Sequence, residues 1–190
     1  LGGWVSYIKK PLLAPLELTI GAGGRIGADG AVVRELDEDG LRRDLITLRE
    51  RNAIQALTIC FINAHINNEH EERARDIARE VFVDTPISIS SEVVPEMQEY
   101  ERTETTVVNS YVRPEVERYV NNLRTALASR MGEDTQLSIL RSDGGLASAR
   151  ASAKSPVNLL MSGPAGGVAG AIYFCSRAGF KDILTFDMGG

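Results

Sequence analysis

Apolar positions recur along this chain with two different periods, and the changes of period mark its elements. LELTIG (16–21) and AVVREL (31–36) are short runs of β type joined by a Gly-rich segment containing ADG, which predicts a two-stranded unit. From Asp37 the period lengthens: LDEDGLRRDLITLRERN sets Leu41, Leu45 and Leu48 at helical spacing, with acids in front and Arg49 and Arg51 near the end. IQALTICFIN (54–63) is apolar almost throughout and rich in β-branched residues, as a buried strand is. NNEHEERARDIAREVF (67–82) predicts a helix and TPISIS (85–90) a strand. The β-α-β-α-β order implies an α/β fold, with a mixed or parallel sheet covered by helices.

The second half begins with a helical block. Residues 96–131 predict two helices, the second opened by Pro114 in its first turn. The strand QLSILRS (136–142) ends on the polar turn SDGG (142–145). A small-residue stretch follows, then the loop MSGPAGG (161–167), a helix VAGAIYFCSRAG (168–179) and a closing strand DILTFD (182–187). A composition shift at EVVPE (92–96) marks the expected boundary between subdomains 1–92 and 93–190. There is no internal repeat, heptad or low-complexity tract.

Composition narrows the classes. With 190 residues, 43% hydrophobic and 25% charged, the chain can bury a core. Its net charge of −5 and scattered basic residues argue against a nucleic-acid surface, which needs clustered Lys and Arg. No apolar run approaches the ~20 residues of a membrane span, so a soluble, cytoplasmic protein is expected. Cys60 and Cys175 lie in apolar segments without a CxxC, as buried reduced thiols rather than a disulfide. The chain starts at Leu1 without Met and stops inside an apparent motif, which suggests a piece of a longer protein.

Three glycine turns flank elements of the last α/β unit: SDGG, SGPAGG and DMGG. Glycine after a strand permits positive φ and lets amides approach an anion without an intervening side chain. In DMGG, Asp187 at a strand's carboxyl end can hold magnesium through water while the amides take phosphates, although a strand-Asp-Gly turn is also common. In SGPAGGVAGA the glycines enter a small-residue helix whose amino terminus can receive an anion; close helix packing on a sheet needs the same residues. No GK[ST] phosphate loop and no GxGxxG after a strand is present. His65 and His70 follow the strand 54–63, but a spacing of five does not place both on one helical face; loop hydrogen bonding and a solvated first turn are the plainer readings. Glu101 and Arg102, in EYERTETT, could line a cleft or belong to an exposed salt-bridged face. There is no GxSxG, and no His near Ser142 or Ser162 in sequence.

The succession NAHINNEHEERA, SSEVVPEMQEYERTETTVVNSYVRP, RSDGG, LLMSGPAGGVAGA and ILTFDMGG resembles the hydantoinase A and 5-oxoprolinase family, which includes acetone and acetophenone carboxylase subunits. The likeness runs in order from about residue 30 to 190. It implies part of an actin-like, sugar-kinase-like ATPase fold. Residues 1–92 would be the C-terminal part of the family's N-terminal region, and 93–190 the start of the hydantoinase A domain. It further implies ATP and Mg2+ as cofactors, with Asp187, Gly189 and Gly190 beginning a phosphate loop and Asp187 near the metal. Asp143, Gly144, Gly145, Ser162, Gly163, Gly166 and Gly167 are by the same likeness candidate cleft loops, and Glu101 and Arg102 candidate supports of the cleft. No catalytic residue is assigned.

The implied activity is ATP-dependent opening of a cyclic amide through phosphorylation, with a small-molecule substrate and a second subunit of hydantoinase B type. An ATP-dependent ketone carboxylase subunit is the neighbouring alternative, and a non-catalytic nucleotide-binding or assembly module is an alternative of another class. A chain with only the first half of the phosphate loop should not turn over ATP alone.

Overall fold

The computed structural model describes residues 12–188. Two compact units divide the chain, Leu1–Ser110 and Tyr111–Gly190.

In the first unit, strands β1 (Arg25–Ile26) and β2 (Val32–Arg34) pair antiparallel across the ADG turn, where Gly30 has φ 84°. Residues 16–21 are not the partner strand: Pro15 leads into a 3-10 turn, Leu16–Leu18. From the end of that turn Leu18, Ile20 and Ala22 are half-buried in alternation with exposed Thr19 and Gly21, so the period of two reports extended backbone without a ladder. Helix α1 (Glu38–Arg51) starts where the Asp37 carboxylate accepts the Gly40 amide at 3.0 Å, and it buries Leu41, Leu45 and Leu48. Strands β3 (Leu57–Ile59) and β4 (Ile87–Ile89) run parallel, joined by helix α2 (Glu69–Val81) as a right-sized crossover. Leu41 and Leu45 of α1 meet Ala74, Ile77, Ala78 and Val81 of α2 in the core, with Leu57, Ile59 and Ile87 packed against it. Arg42 to Glu80 at 2.9 Å and Arg73 to Glu38 at 2.5 Å tie the helices at their exposed rims, contacts of little net weight in water.

A short helix α3 (Ser90–Val93) leads to α4, which is a single helix, Glu99–Met131, where two were expected. Pro114 lies inside it. A proline there removes the bond to the carbonyl four residues back, that of Ser110, at a cost of roughly 3 kcal/mol. The division between the compact units falls at that residue; Thr106 and Asn109 are buried before it and Val120 after it.

In the second unit, β5 (Ser138–Leu140) and β6 (Leu146–Ser148) form an antiparallel hairpin around SDGG. Helix α5 (Ala149–Lys154) follows, capped by Ser148, then a 3-10 turn Pro156–Leu159 and helix α6 (Ser162–Arg177). Two expectations fail here. SGPAGG is the beginning of α6 and not a loop, and residues 182–187 are exposed without a strand partner. The fold is α/β, with three two-stranded sheets among the described residues.

Candidate functional site

The SDGG turn is built from its own side chains. Gly144 sits at φ 81°, its amide donates to the Arg141 carbonyl at 3.0 Å, and Asp143 Oδ1 accepts the Gly145 amide at 2.9 Å. The other Asp143 oxygen meets Arg141 Nη2 at 2.8 Å. Asp143 is therefore already engaged, as a turn former and a counter-ion.

Ser142 joins this turn to the start of α6. Its amide and hydroxyl both donate to the Asn158 carbonyl at 2.7 Å, and its Oγ accepts the Met161 amide at 3.1 Å. The structure thus brings Asp143, Gly144 and Gly145 beside the first turn of α6. That turn has no side-chain cap, and Pro164 lacks an amide, so Ser162 and Gly163 present the unpaired backbone donors expected at a helix start. A Cβ on Gly163 or Gly167 would meet nothing within 4 Å, leaving the backbone open to approach; a Cβ on Gly166 would come to 2.6 Å from Leu140 Cδ2. Gly166 accordingly serves close packing of α6 on β5, the plainer of the two readings of this motif.

Asp187 is exposed at the end of residues 182–188, and Gly189 and Gly190 lie outside the described residues. No group of three His, Cys, Asp or Glu side chains among the described residues could hold a metal ion. The fit to magnesium is thus that of one exposed carboxylate, which suits an ion that keeps most of its waters and takes its other ligands from phosphates.

Glu101 and Arg102 belong to the first unit and have opposite surroundings. Glu101 is exposed, whereas Arg102 is 1% exposed and forms the hub of an interior polar network. Its Nε donates to Ser90 Oγ at 3.0 Å, Nη1 to the Glu96 carbonyl at 2.6 Å and Nη2 to the Phe61 carbonyl at 2.9 Å. The Ser90 hydroxyl donates to Glu71 Oε1 at 2.5 Å, and Glu71 also accepts the Phe61 and Ser91 amides at 2.9 and 2.8 Å. Every arm of this buried guanidinium is matched, as burial of a charge requires. Glu71, Ser90, Thr106 and Asn109 escaped the sequence reading. Their signal was there: Arg102, Thr106 and Asn109 recur at helical spacing, the pattern of an inward face written in polar residues.

The NAHINN segment does structural work. Asn63, at φ 62°, donates to the Ile26 carbonyl at 3.0 Å, and Asn67 donates to the Gly30 carbonyl at 2.9 Å, so both hold the β1–β2 hairpin. His70 is not in a solvated turn. It is 3% exposed, edge-on to Phe61 with ring centroids 5.9 Å apart, and a Cβ on Gly24 would reach 3.1 Å from its Nδ1. Cys60 and Cys175 are free and half-buried. Burial pushes the Cys60 thiol up, opposed by hydrogen bonds to Thr103, Ser90 and Thr106.

Comparison with known proteins places this arrangement. A family model described as Hydantoinase/oxoprolinase matches residues 102–190, and one described as Hydantoinase/oxoprolinase N-terminal region matches residues 5–82. The alpha subunit of caprolactamase from Pseudomonas jessenii is 34% identical over 185 residues, covering 97% of this chain and 26% of that protein. A nucleotide-free acetone carboxylase structure, from work on ATP-dependent acetone carboxylation, superposes with TM-score 0.83 at 29% identity over 93% of this chain and 25% of that one. The crystal structure of ATP-dependent caprolactamase from Pseudomonas jessenii gives 0.80 at 33% identity over 97% of this chain and 26% of that one. The chain spans about a quarter of the length of such relatives. No helix among the described residues is long and apolar enough to cross a membrane. Two family models covering most of the sequence, and two solved relatives superposing over nearly all of it, show that the chain belongs to the hydantoinase/oxoprolinase family.

Proposed function

We propose that this chain is part of an ATP-dependent enzyme that opens a cyclic amide, and that it supplies one side of the phosphate site. The observation that carries this reading is the likeness to ATP-dependent caprolactamase over 97% of the chain. An unactivated lactam is a poor electrophile. Transfer of the γ-phosphoryl group to the amide oxygen breaks the terminal P–O bond of ATP and releases ADP. One water then adds at the activated carbon and the ring C–N bond breaks, leaving an acyl phosphate that a second water hydrolyses.

Within this scheme the chain's own groups bind and orient. The open amides of Ser162 and Gly163 offer an anion the α6 amino terminus. Gly163 and Gly167 keep side chains out of its path, and Asp187, Gly189 and Gly190 would begin a phosphate loop. Asp187 would hold Mg2+ through water; when bound, that ion supplies charge neutralisation to phosphates. Asp143, Gly144 and Gly145 would shape the neighbouring wall, while Glu101 and Arg102, in the first unit, would support that unit's own fold. In this reading residues 1–92 belong to the N-terminal region and 93–190 begin the hydantoinase A domain, in an actin-like ATPase, cytoplasmic and paired with a second subunit of hydantoinase B type. The caprolactamase relative, itself named an alpha subunit, favours such a partner.

Asp187→Ala in a protein carrying this chain at its relatives' length should abolish amide-dependent phosphate release; turnover near the parental rate would sink the assignment. A second reading, an ATP-dependent ketone carboxylase subunit, is favoured by the superposition on acetone carboxylase. Phosphate release with hydantoin, against acetone plus bicarbonate, separates the two. The 190-residue chain alone should show no saturable magnesium-ATP binding by calorimetry at micromolar concentration.

A further inference from the structure

The second unit contains a half-open cavity of about 150 Å³ beside the β5–β6 hairpin, lined by Arg141, Ala147, Ala151, Ser152, Ser155, Asn158 and Leu159. A space of this size accommodates roughly one six-membered ring. Two of the lining residues carry polar atoms that the protein leaves unsatisfied. Ser152 is 2% exposed and its Oγ has no hydrogen-bond partner, and the buried Arg141 Nε has none either. Buried polar atoms are usually paired, so two orphans around one cavity call for an occupant that accepts hydrogen bonds.

Charge selects among acceptors. Among the described residues Arg141 is the only charged one lining the cavity, and its positive charge is matched by Asp143 at 2.8 Å. The pair offers an N–H donor without a net charge, which favours a neutral carbonyl over an anion. Ala147, Ala151 and Leu159 supply an apolar side for a hydrocarbon ring, and Asn158 an amide that both donates and accepts. The wall is also fixed in place. Ser142 clamps the segment carrying Asn158 and Met161 to the turn that carries Arg141.

We propose that this cavity is the binding site for a small cyclic amide, with the amide carbonyl accepting from Arg141 Nε and Ser152 Oγ and the ring methylenes against Ala147, Ala151 and Leu159. This rests on the reading of the chain as part of a cyclic-amide hydrolase, and it adds where the substrate sits.

The test titrates δ-valerolactam into the isotopically labelled 190-residue chain, following backbone amides, with acetate as a parallel arm. Saturable shifts centred on residues 141–147 and 151–159 are expected, with Ser152→Ala and Arg141→Lys each weakening binding roughly tenfold, the size of one lost hydrogen bond. Both variants should keep the parental amide dispersion. Should either fold poorly, Asn158→Asp, which adds a carboxylate at the cavity wall, serves instead and should weaken the lactam by a similar factor. Linear, unsaturable shifts, shifts elsewhere, or tighter binding of acetate than of lactam would each overturn the proposal. The two readings fail separately. Loss of lactam binding leaves the Asp187 phosphate assignment standing, whereas an Asp187→Ala protein that still releases phosphate leaves the cavity result untouched.

Discussion

Helices α2 and α6 have 13 and 16 residues, yet α2 buries six of its side chains and α6 buries none. The difference runs against composition. Helix α2 is crowded with charge, but its Ala74, Ile77, Ala78 and Val81 share a stripe that α1 and the β3–β4 pair cover. Helix α6 carries almost no charge, and Ile172, Tyr173 and Phe174 are more than half exposed. An amphipathic pattern determines which face is buried, whereas an apolar, small-residue helix determines only that it packs closely where something meets it, as Gly166 does with Leu140.

The sharpest way to break this comparison is to remove charge from each helix. Glu71→Ala on α2 strips the acceptor from Ser90 and two amides, inside the buried network that Arg102 joins through Ser90, so a loss of about 3–5 kcal/mol is expected in denaturant unfolding. Arg177→Ala on α6, which removes a guanidinium lying 5.3 Å over the Tyr173 ring, should cost less than about 1 kcal/mol. Equal losses would mean that the Glu71 network is not the interior hub described here.

Apolar truncation gives the next largest contrast. Ile77 is fully buried, and Ile77→Ala should cost about 2–5 kcal/mol by transfer and cavity terms together. Ile172, 53% exposed, should change stability by less than about 0.5 kcal/mol on the same substitution. A large loss at Ile172 in the 190-residue chain would show that α6 is covered in solution, and the contrast would fail.

The same contrast explains what the sequence disclosed. The leucines of α1, the parallel β3–β4 pair and the SDGG turn were legible, because period, β-branching and turn chemistry each act locally. Residues 16–21 were misjudged because alternation specifies extended backbone and says nothing about a hydrogen-bonded neighbour. The single helix across Pro114 was hidden because a proline's local cost can be offset by burial far from it in sequence. His70 and Arg102 were hidden because polarity alone does not distinguish a solvated side chain from one satisfied inside. In the candidate site, the motif SGPAGG does not distinguish its glycines: Gly166 closes on Leu140, whereas Gly163 and Gly167 face open space.

That distinction supports a smaller prediction. Gly167→Ala places a methyl in open space within a helix and should stabilise the chain by about 0.5–1 kcal/mol, read as a raised unfolding midpoint. If the same variant at full length loses ATP-dependent turnover while gaining stability, the glycine is kept for anion approach. Gain without loss would remove Gly167 from the anion's path.

The smallest effect is expected from Cys60. Its pKa is raised above the ordinary value of 9.0, chiefly by burial, so the folded chain holds the neutral thiol at a pH where the unfolded chain has begun to ionise. The sign follows from proton counting. Below the unfolded pKa both states carry the proton and the thiol's contribution is fully present. As pH rises through that value the unfolded state loses protons first, and stability falls until the folded pKa is passed. Unfolding free energy should therefore decline more steeply above about pH 9 in the parent than in Cys60→Ala. Cys60 lies among Ser90, Thr103 and Thr106, of which Ser90 accepts from the Arg102 guanidinium and Thr106 donates to the Arg102 carbonyl, so the alkaline slope reports on the polar interior of the first unit alone. Identical slopes in parent and variant would mean that Cys60 meets solvent freely and that this interior is looser than its hydrogen bonds imply.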